Sequence, residues 1–82
     1  MDPVWEIRNK DGSFAQFVTS LFPGMQEPFI PIFMSKEDAE YFVHHLGCES
    51  LVDIRPSSYI HKGGAKTPMT LIPKNNPYLE KS

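Results

Sequence analysis

Cysteine is scarce in this sequence, since Cys48 is the only one among 82 residues. A single cysteine excludes a disulfide within the chain, and it leaves no Cys-x-x-Cys pair for a zinc or dithiol redox site. Long apolar runs are lacking as well, because no stretch approaches the ~18 apolar residues of a membrane-spanning helix. The first residues also lack the basic segment and apolar run of a signal peptide. We therefore expect a cytoplasmic protein, in a reducing compartment, without membrane contact.

Positive charge is also in short supply, with eight basic residues against ten acidic ones. The chain as a whole therefore does not supply the attraction to phosphates that dominates nucleic-acid affinity, which argues against a nucleic-acid partner. One stretch keeps this alternative open. Within the Gly-rich segment near residue 63, a stacking and phosphate-binding surface would be formed by Tyr59, His61, Lys62 and Lys66.

Proline and apolar residues are plentiful, in contrast. Eight prolines favour extended segments and fixed turns over a helical bundle, and a hydrophobic fraction of 40% is that of a folded chain. A chain of this length buries only a thin core. We predict one domain over residues 1–72 and a Pro- and Asn-rich tail over residues 73–82. The tail is expected to be mobile unless Tyr78 and Leu79 dock.

Short apolar patterns predict strands on both sides of one helix. Trp5 and Ile7 alternate with polar neighbours, and the turn residues 10–12 predict a hairpin into a second strand. The predicted strands occupy residues 4–9, 13–19, 29–34 and 50–55, with a possible last strand at 69–72. Pro31 cannot donate to a ladder, so it should lie at a sheet edge, at a bulge, or with its nitrogen facing away from a neighbour.

The helix is the best specified element. Ser35 is suited to cap its N-terminus, and acidic residues follow in the first turn. Ala39, Phe42, Val43 and Leu46 recur at the spacing of one buried stripe, and Gly47 is suited to end the helix. The predicted fold is α+β. It has an antiparallel sheet of four to five strands in the order β-β-β-α-β, with a possible last strand, and one helix packed on one face.

Residues 29–56 resemble SseB-like domains. Phe29-Ile-Pro-Ile-Phe-Met is an apolar strand that leads into the Ser-capped start Ser35-Lys-Glu-Asp-Ala-Glu-Tyr-Phe, and Leu51-Val-Asp-Ile before Pro56 is similar to the strand that follows the helix. The resemblance implies a small α/β sandwich without known catalytic residues. It carries no functional position over to this chain.

Residues that bind metals or act in catalysis form no recognisable motif. The adjacent His44 and His45 point ~100° apart on a helix, so they cannot hold one ion as an i, i+4 pair does. We predict no catalytic site, no metal and no cofactor. A small enzyme is the less favoured alternative. It would require convergence in one cleft of His44, His45, His61 or Cys48 with Glu49 or Asp53.

Aromatic residues exceed what one helix on a small sheet can hide. We expect most of them in the core, including Phe33 and Phe42. Phe22 and Met25 flank the Pro-Gly pair of a loop and are expected to protrude, and together with Trp5 they are the candidate partner-binding residues. The sequence thus favours a non-catalytic protein-binding or regulatory module that acts through an exposed aromatic surface. A homodimer formed by pairing of sheet edges would compensate for the thin core.

Overall fold

A computed structural model describes residues 3–22, 26–58, 66–74, 76 and 79. The described elements follow the order β-β-α-β-β, with one short 3-10 turn at Glu49–Leu51 before the third strand. They are β1 (Val4–Asn9), β2 (Ile30–Phe33), α1 (Lys36–His45), β3 (Val52–Ser57) and β4 (Met69–Ile72). The α+β prediction is confirmed. No helix in these ranges is long and apolar enough to cross a membrane.

The sheet is mixed, which corrects the antiparallel prediction. Its strand order is β3-β1-β2-β4. β1 is antiparallel to both β2 and β3, whereas β4 is parallel to β2. Parallel pairing requires a long crossover, and the connection from β2 to β4, which contains α1 and β3, provides one. The sequence indicated β4 as a possible last strand but did not specify the strand beside it.

The predicted strand over residues 13–19 is wrong as a continuous element. This segment forms only two isolated bridges, Arg8 with Phe14 and Phe17 with Phe29. The Ala15 N–H donates to the Ile7 carbonyl at 2.9 Å, so the segment fills the space where β1 and β2 separate. Phe14 lies against the Arg8 guanidinium, whereas Phe17 pairs with Phe29 and packs on Phe42, so the segment passes from β1 to β2.

Pro31 lies inside the sheet, with its nitrogen facing away from β4. The neighbouring Ile30 N–H donates to the Pro68 carbonyl at 2.9 Å, so the alternation of the backbone directs the Pro31 nitrogen towards β1. There the Ile7 carbonyl accepts its hydrogen bond from Ala15 instead. The missing N–H therefore costs no ladder bond, which is one of the arrangements expected for this residue.

The helix begins and ends where the sequence predicted. The Ser35 hydroxyl accepts from the Asp38 N–H at 3.4 Å, and Gly47 ends the helix with φ 71°, a left-handed conformation that favours glycine. Ala39, Phe42 and Val43 are buried, as predicted, but the prediction that Leu46 belongs to the same buried stripe is wrong, because Leu46 lies at the C-cap and is exposed. The helix therefore packs on the sheet through its middle two turns.

Phe42 lies at the centre of an aromatic core. Its ring is fully buried and lies 5.0 Å from Phe17, 5.9 Å from Phe22 and 5.3 Å from Phe33, measured between ring centroids. The expectation that Phe22 protrudes is therefore wrong. Only 7% of this residue is exposed, because its ring stacks on Phe42 and meets Phe29 edge-on. Phe33 and Phe42 are core residues, as expected.

Leu79 belongs to the same core, with 2% of its surface exposed. Its N–H donates to the Asn76 carbonyl at 3.0 Å. Tyr78, the other residue expected to dock from the tail, lies outside the described residues. The core therefore includes a side chain from beyond residue 72.

Candidate functional site

An open groove of about 480 Å³ lies between α1 and β3. One wall consists of Lys36, Glu40 and His44, which are spaced four residues apart and therefore share one face of the helix. This face borders the buried stripe on the side of β3. The wall is thus polar and exposed, whereas the opposite side of the helix packs on the aromatic core.

The floor of the groove is apolar. Val43 of α1 and Val52 of β3 are buried there, and Ile54 is half-buried. Glu49 and Asp53 contribute to the polar rim. An apolar floor with a few charged groups around it is typical of binding sites, and the volume lies within the ~300–1,000 Å³ range of ligand pockets.

Backbone groups of Ile54 face outwards along the same groove. On β1, Ile7 directs its carbonyl away from β3, since it accepts from Ala15 on the other side. Ile7 and Ile54 are directly opposite each other, so the alternation of an antiparallel ladder directs the Ile54 N–H and C=O to the outer side of β3. In the described part of the chain, no strand pairs with that side.

The open edge is short, because the residues on either side of Ile54 limit it. Pro56 also faces outwards by the same alternation and has no N–H to donate. The Val52 carbonyl accepts from Lys10 Nζ at 3.5 Å. Proline and lysine commonly protect sheet edges from indiscriminate pairing. Only a short extended segment, centred on Ile54, can therefore pair here.

Side-chain hydrogen bonds hold the carboxylates around the groove. Asp53 Oδ1 lies 2.9 Å from Lys10 Nζ, and Arg55 lies 3.7 Å from the other oxygen of the same carboxylate. The hydrogen bond from Lys10 lowers the pKa of Asp53. Glu49 lies 2.9 Å from His44 Nδ1, and this hydrogen bond lowers the pKa of Glu49. Both carboxylates therefore stay ionised to lower pH than usual.

Some groups of the enzyme alternative do meet in this groove. His44, Glu49 and Asp53 all line it, but both carboxylates are engaged in the contacts with His44 and Lys10 just described. Cys48 does not line the groove, and burial raises the pKa of its thiol, which disfavours a reactive thiolate. Among the described residues, no group of three or more His, Cys, Asp and Glu side chains could hold a metal ion.

The predicted partner-binding residues do not form one exposed surface in the described ranges. Phe22 is in the core, and Trp5 is half-buried against it, with Lys36 Nζ 5.5 Å from the ring centroid. Lys66 is exposed. The other predicted site residues, Met25, Tyr59, His61 and Lys62, lie outside the described residues.

Sequence reasoning missed the edge of β3, although a signal was present. Val52 and Ile54 alternate with the charged Asp53 and Arg55, and Pro56 follows. This pattern is typical of a protected edge strand with one apolar and one charged face.

Comparison with known protein families, with curated proteins and with solved structures gives no match for this chain. The resemblance to SseB-like domains therefore stays a prediction, and the function has to be argued from the groove and the strand edge.

Proposed function

We propose that this domain is a non-catalytic protein-binding module, which adds an extended segment of a protein to the outer edge of β3. The observation that carries the proposal is the outward-facing N–H and C=O of Ile54, directly beside the groove. Addition of a strand to an exposed sheet edge is a common mode of peptide recognition, in which backbone hydrogen bonds supply affinity and side-chain pockets supply specificity.

The side chains of such a segment would alternate between the two faces of the sheet. The residue that pairs with Ile54 points to the same face of the sheet as Ile54, which is the face covered by α1. That side chain enters the groove above Val43 and Val52. Its two neighbours point to the opposite face, beside Asp53 and Arg55. The bound segment is thus recognised by one apolar contact and by charges on both sides of it.

A phosphate backbone is a poorer occupant of this groove. Glu40 and Glu49 carry two carboxylates along its rim against the one ammonium group of Lys36, and the Asp53 carboxylate is already paired with Lys10. Repulsion between like charges disfavours a nucleic acid here, whereas a polypeptide can match both signs. The nucleic-acid alternative would depend on the segment 59–66, of which the structure describes only Lys66.

A pair of variants at one position tests strand addition. Ile54→Pro removes the outward N–H without removing a bond to β1, whereas Ile54→Ala shortens the side chain and keeps that N–H. Short random peptides displayed on phage are selected on the wild-type domain, and their dissociation constants are then measured by calorimetry. We expect the proline variant to bind at least ~5-fold more weakly than the alanine variant, since one hydrogen bond contributes ~1 kcal/mol or more.

The alanine variant is the matched control, because both variants lack most of the isoleucine side chain. Thermal melts establish that both are folded before binding is compared. Equal affinities of the two variants, or a selection that yields no binding peptide, would contradict strand addition at this edge.

A further inference from the structure

We infer that the segment paired with the β3 edge is β3 of a second copy of this chain, so that the domain forms a two-fold symmetric dimer through one continuous sheet. This inference rests on the strand-addition surface proposed above and names its occupant. It depends on two features of β3, the pattern of its outward backbone groups and the order of its charges.

The backbone of β3 is complementary to itself in one register. When two antiparallel copies meet with Ile54 opposite Ile54, these residues exchange a pair of N–H···O bonds. Val52 of each copy then lies opposite Pro56 of the other, where the Val52 N–H can donate to the proline carbonyl. Pro56 has no N–H to donate in return, so the carbonyl of the opposite Val52 receives no hydrogen bond from the neighbouring strand. That carbonyl already accepts a hydrogen bond from Lys10 Nζ of its own chain. The chain thus compensates for the one bond that its own proline removes.

The charges are complementary in the same register. Asp53 of each copy lies opposite Arg55 of the other, so the symmetric strand pair contains two opposite-charge pairs. They occupy positions without backbone bonds, where facing side chains are closest. About half of each side chain is exposed, 41% for Asp53 and 52% for Arg55, so both are accessible to a neighbouring strand. A shift by one residue would separate the pairs, and the charges therefore specify the register.

The opposite edge of the sheet, formed by β4, lacks charges that could specify a register. β4 has the sequence Met69-Thr-Leu-Ile, without a charged residue. Pairing of β4 with itself would have no charge order to fix its register. Two-fold pairing at β3, in contrast, places both α1 helices on the same face, so that the two grooves join over the paired Ile54 residues. The observations therefore favour β3 as the dimer edge.

A charge exchange between two single variants tests the inference. Asp53→Arg places arginine opposite arginine in a homodimer, and Arg55→Asp places aspartate opposite aspartate. Each homodimer should dissociate at least ~10-fold more readily than the wild type in sedimentation equilibrium, since like charges across a strand pair repel. An equimolar mixture of the two variants restores an opposite-charge pair at both positions. We expect this mixture, and also the double variant D53R/R55D, to associate as the wild type does.

Recovery in the mixture distinguishes a charge effect from misfolding, because a misfolded chain is not rescued by another variant. A wild type that stays monomeric up to millimolar concentration would overturn the dimer, as would a dimer whose dissociation constant the single variants leave unchanged. Strand addition itself stands in either case if the selected peptides still distinguish Ile54→Pro from Ile54→Ala. Loss of that distinction as well would overturn both proposals.

Discussion

Replacement of Phe42 by alanine is expected to lower the free energy of unfolding by about 3–5 kcal/mol. The ring is fully buried and contacts Phe17, Phe22 and Phe33, so its removal leaves a cavity at the point where the helix, the sheet and the 13–22 segment meet. A domain of this size has a total stability of only ~5–15 kcal/mol, so the variant would lose a large fraction of it.

Urea denaturation followed by tryptophan fluorescence measures this loss. Leu51→Ala is the control, since Leu51 is 65% exposed and its truncation should change stability by no more than ~0.5 kcal/mol. If Phe42→Ala does not fold, Phe42→Leu gives a smaller loss that can still be measured. A loss below ~1 kcal/mol for alanine would show that the ring is not packed as described.

Arg8→Ala is expected to cost about 2–4 kcal/mol, because it removes the cation beside a buried carboxylate. Glu6 is only 4% exposed, and Arg8 Nη2 lies 2.9 Å from its Oε1. The same guanidinium donates to the Gly12 carbonyl at 2.8 Å and lies 3.7 Å from the Phe14 ring centroid. The arginine side chain keeps 20% exposure, so the expected cost is below that of a fully buried pair.

A second variant separates the charge effect from the loss of packing. Glu6→Gln removes the negative charge, so Arg8→Ala should cost less in that background than in the wild type. The measurement is a double-mutant cycle by urea denaturation at neutral pH. Additive losses would mean that the carboxylate and the guanidinium do not stabilise each other.

The helix and three of its buried residues, Ala39, Phe42 and Val43, were predictable from the sequence, whereas Leu46 was assigned to the same stripe and is exposed. Capping by Ser35, burial of Phe42 and termination at Gly47 depend on residues a few positions apart, so a local pattern contains the information. Phe33 was predictable for a similar reason, since a short apolar run between turn residues indicates a buried strand.

The sheet was harder to predict, because strand pairing depends on residues far apart in the sequence. Nothing in the sequence of β4 specifies that it lies parallel to β2. Phe22 was assigned to an exposed loop on the strength of the Pro-Gly pair that follows, yet its ring stacks on Phe42, twenty positions further on. The burial of a loop residue is decided by the surface it meets, and that surface exists only in the folded chain.

The candidate site, too, was only partly predictable from the sequence. The alternation in β3 and its terminal proline indicate an edge strand, but only the strand order places that edge beside α1 and makes Ile54 the centre of the open groups. The symmetric order of Asp53, Ile54 and Arg55 can be read from the sequence. It becomes informative only once the outward direction of Ile54 is known.

Amide hydrogen exchange at Ile54, measured by NMR, tests the open edge most directly. In dilute solution without peptide, we predict rapid exchange at Ile54 and slow exchange at Arg55, whose N–H faces β1. Addition of a selected peptide, or an increase in protein concentration, should protect Ile54 and leave Arg55 unchanged. Protection of Ile54 as strong as that of Arg55 in the dilute, peptide-free domain would contradict the account, because the edge would then already be paired within the chain.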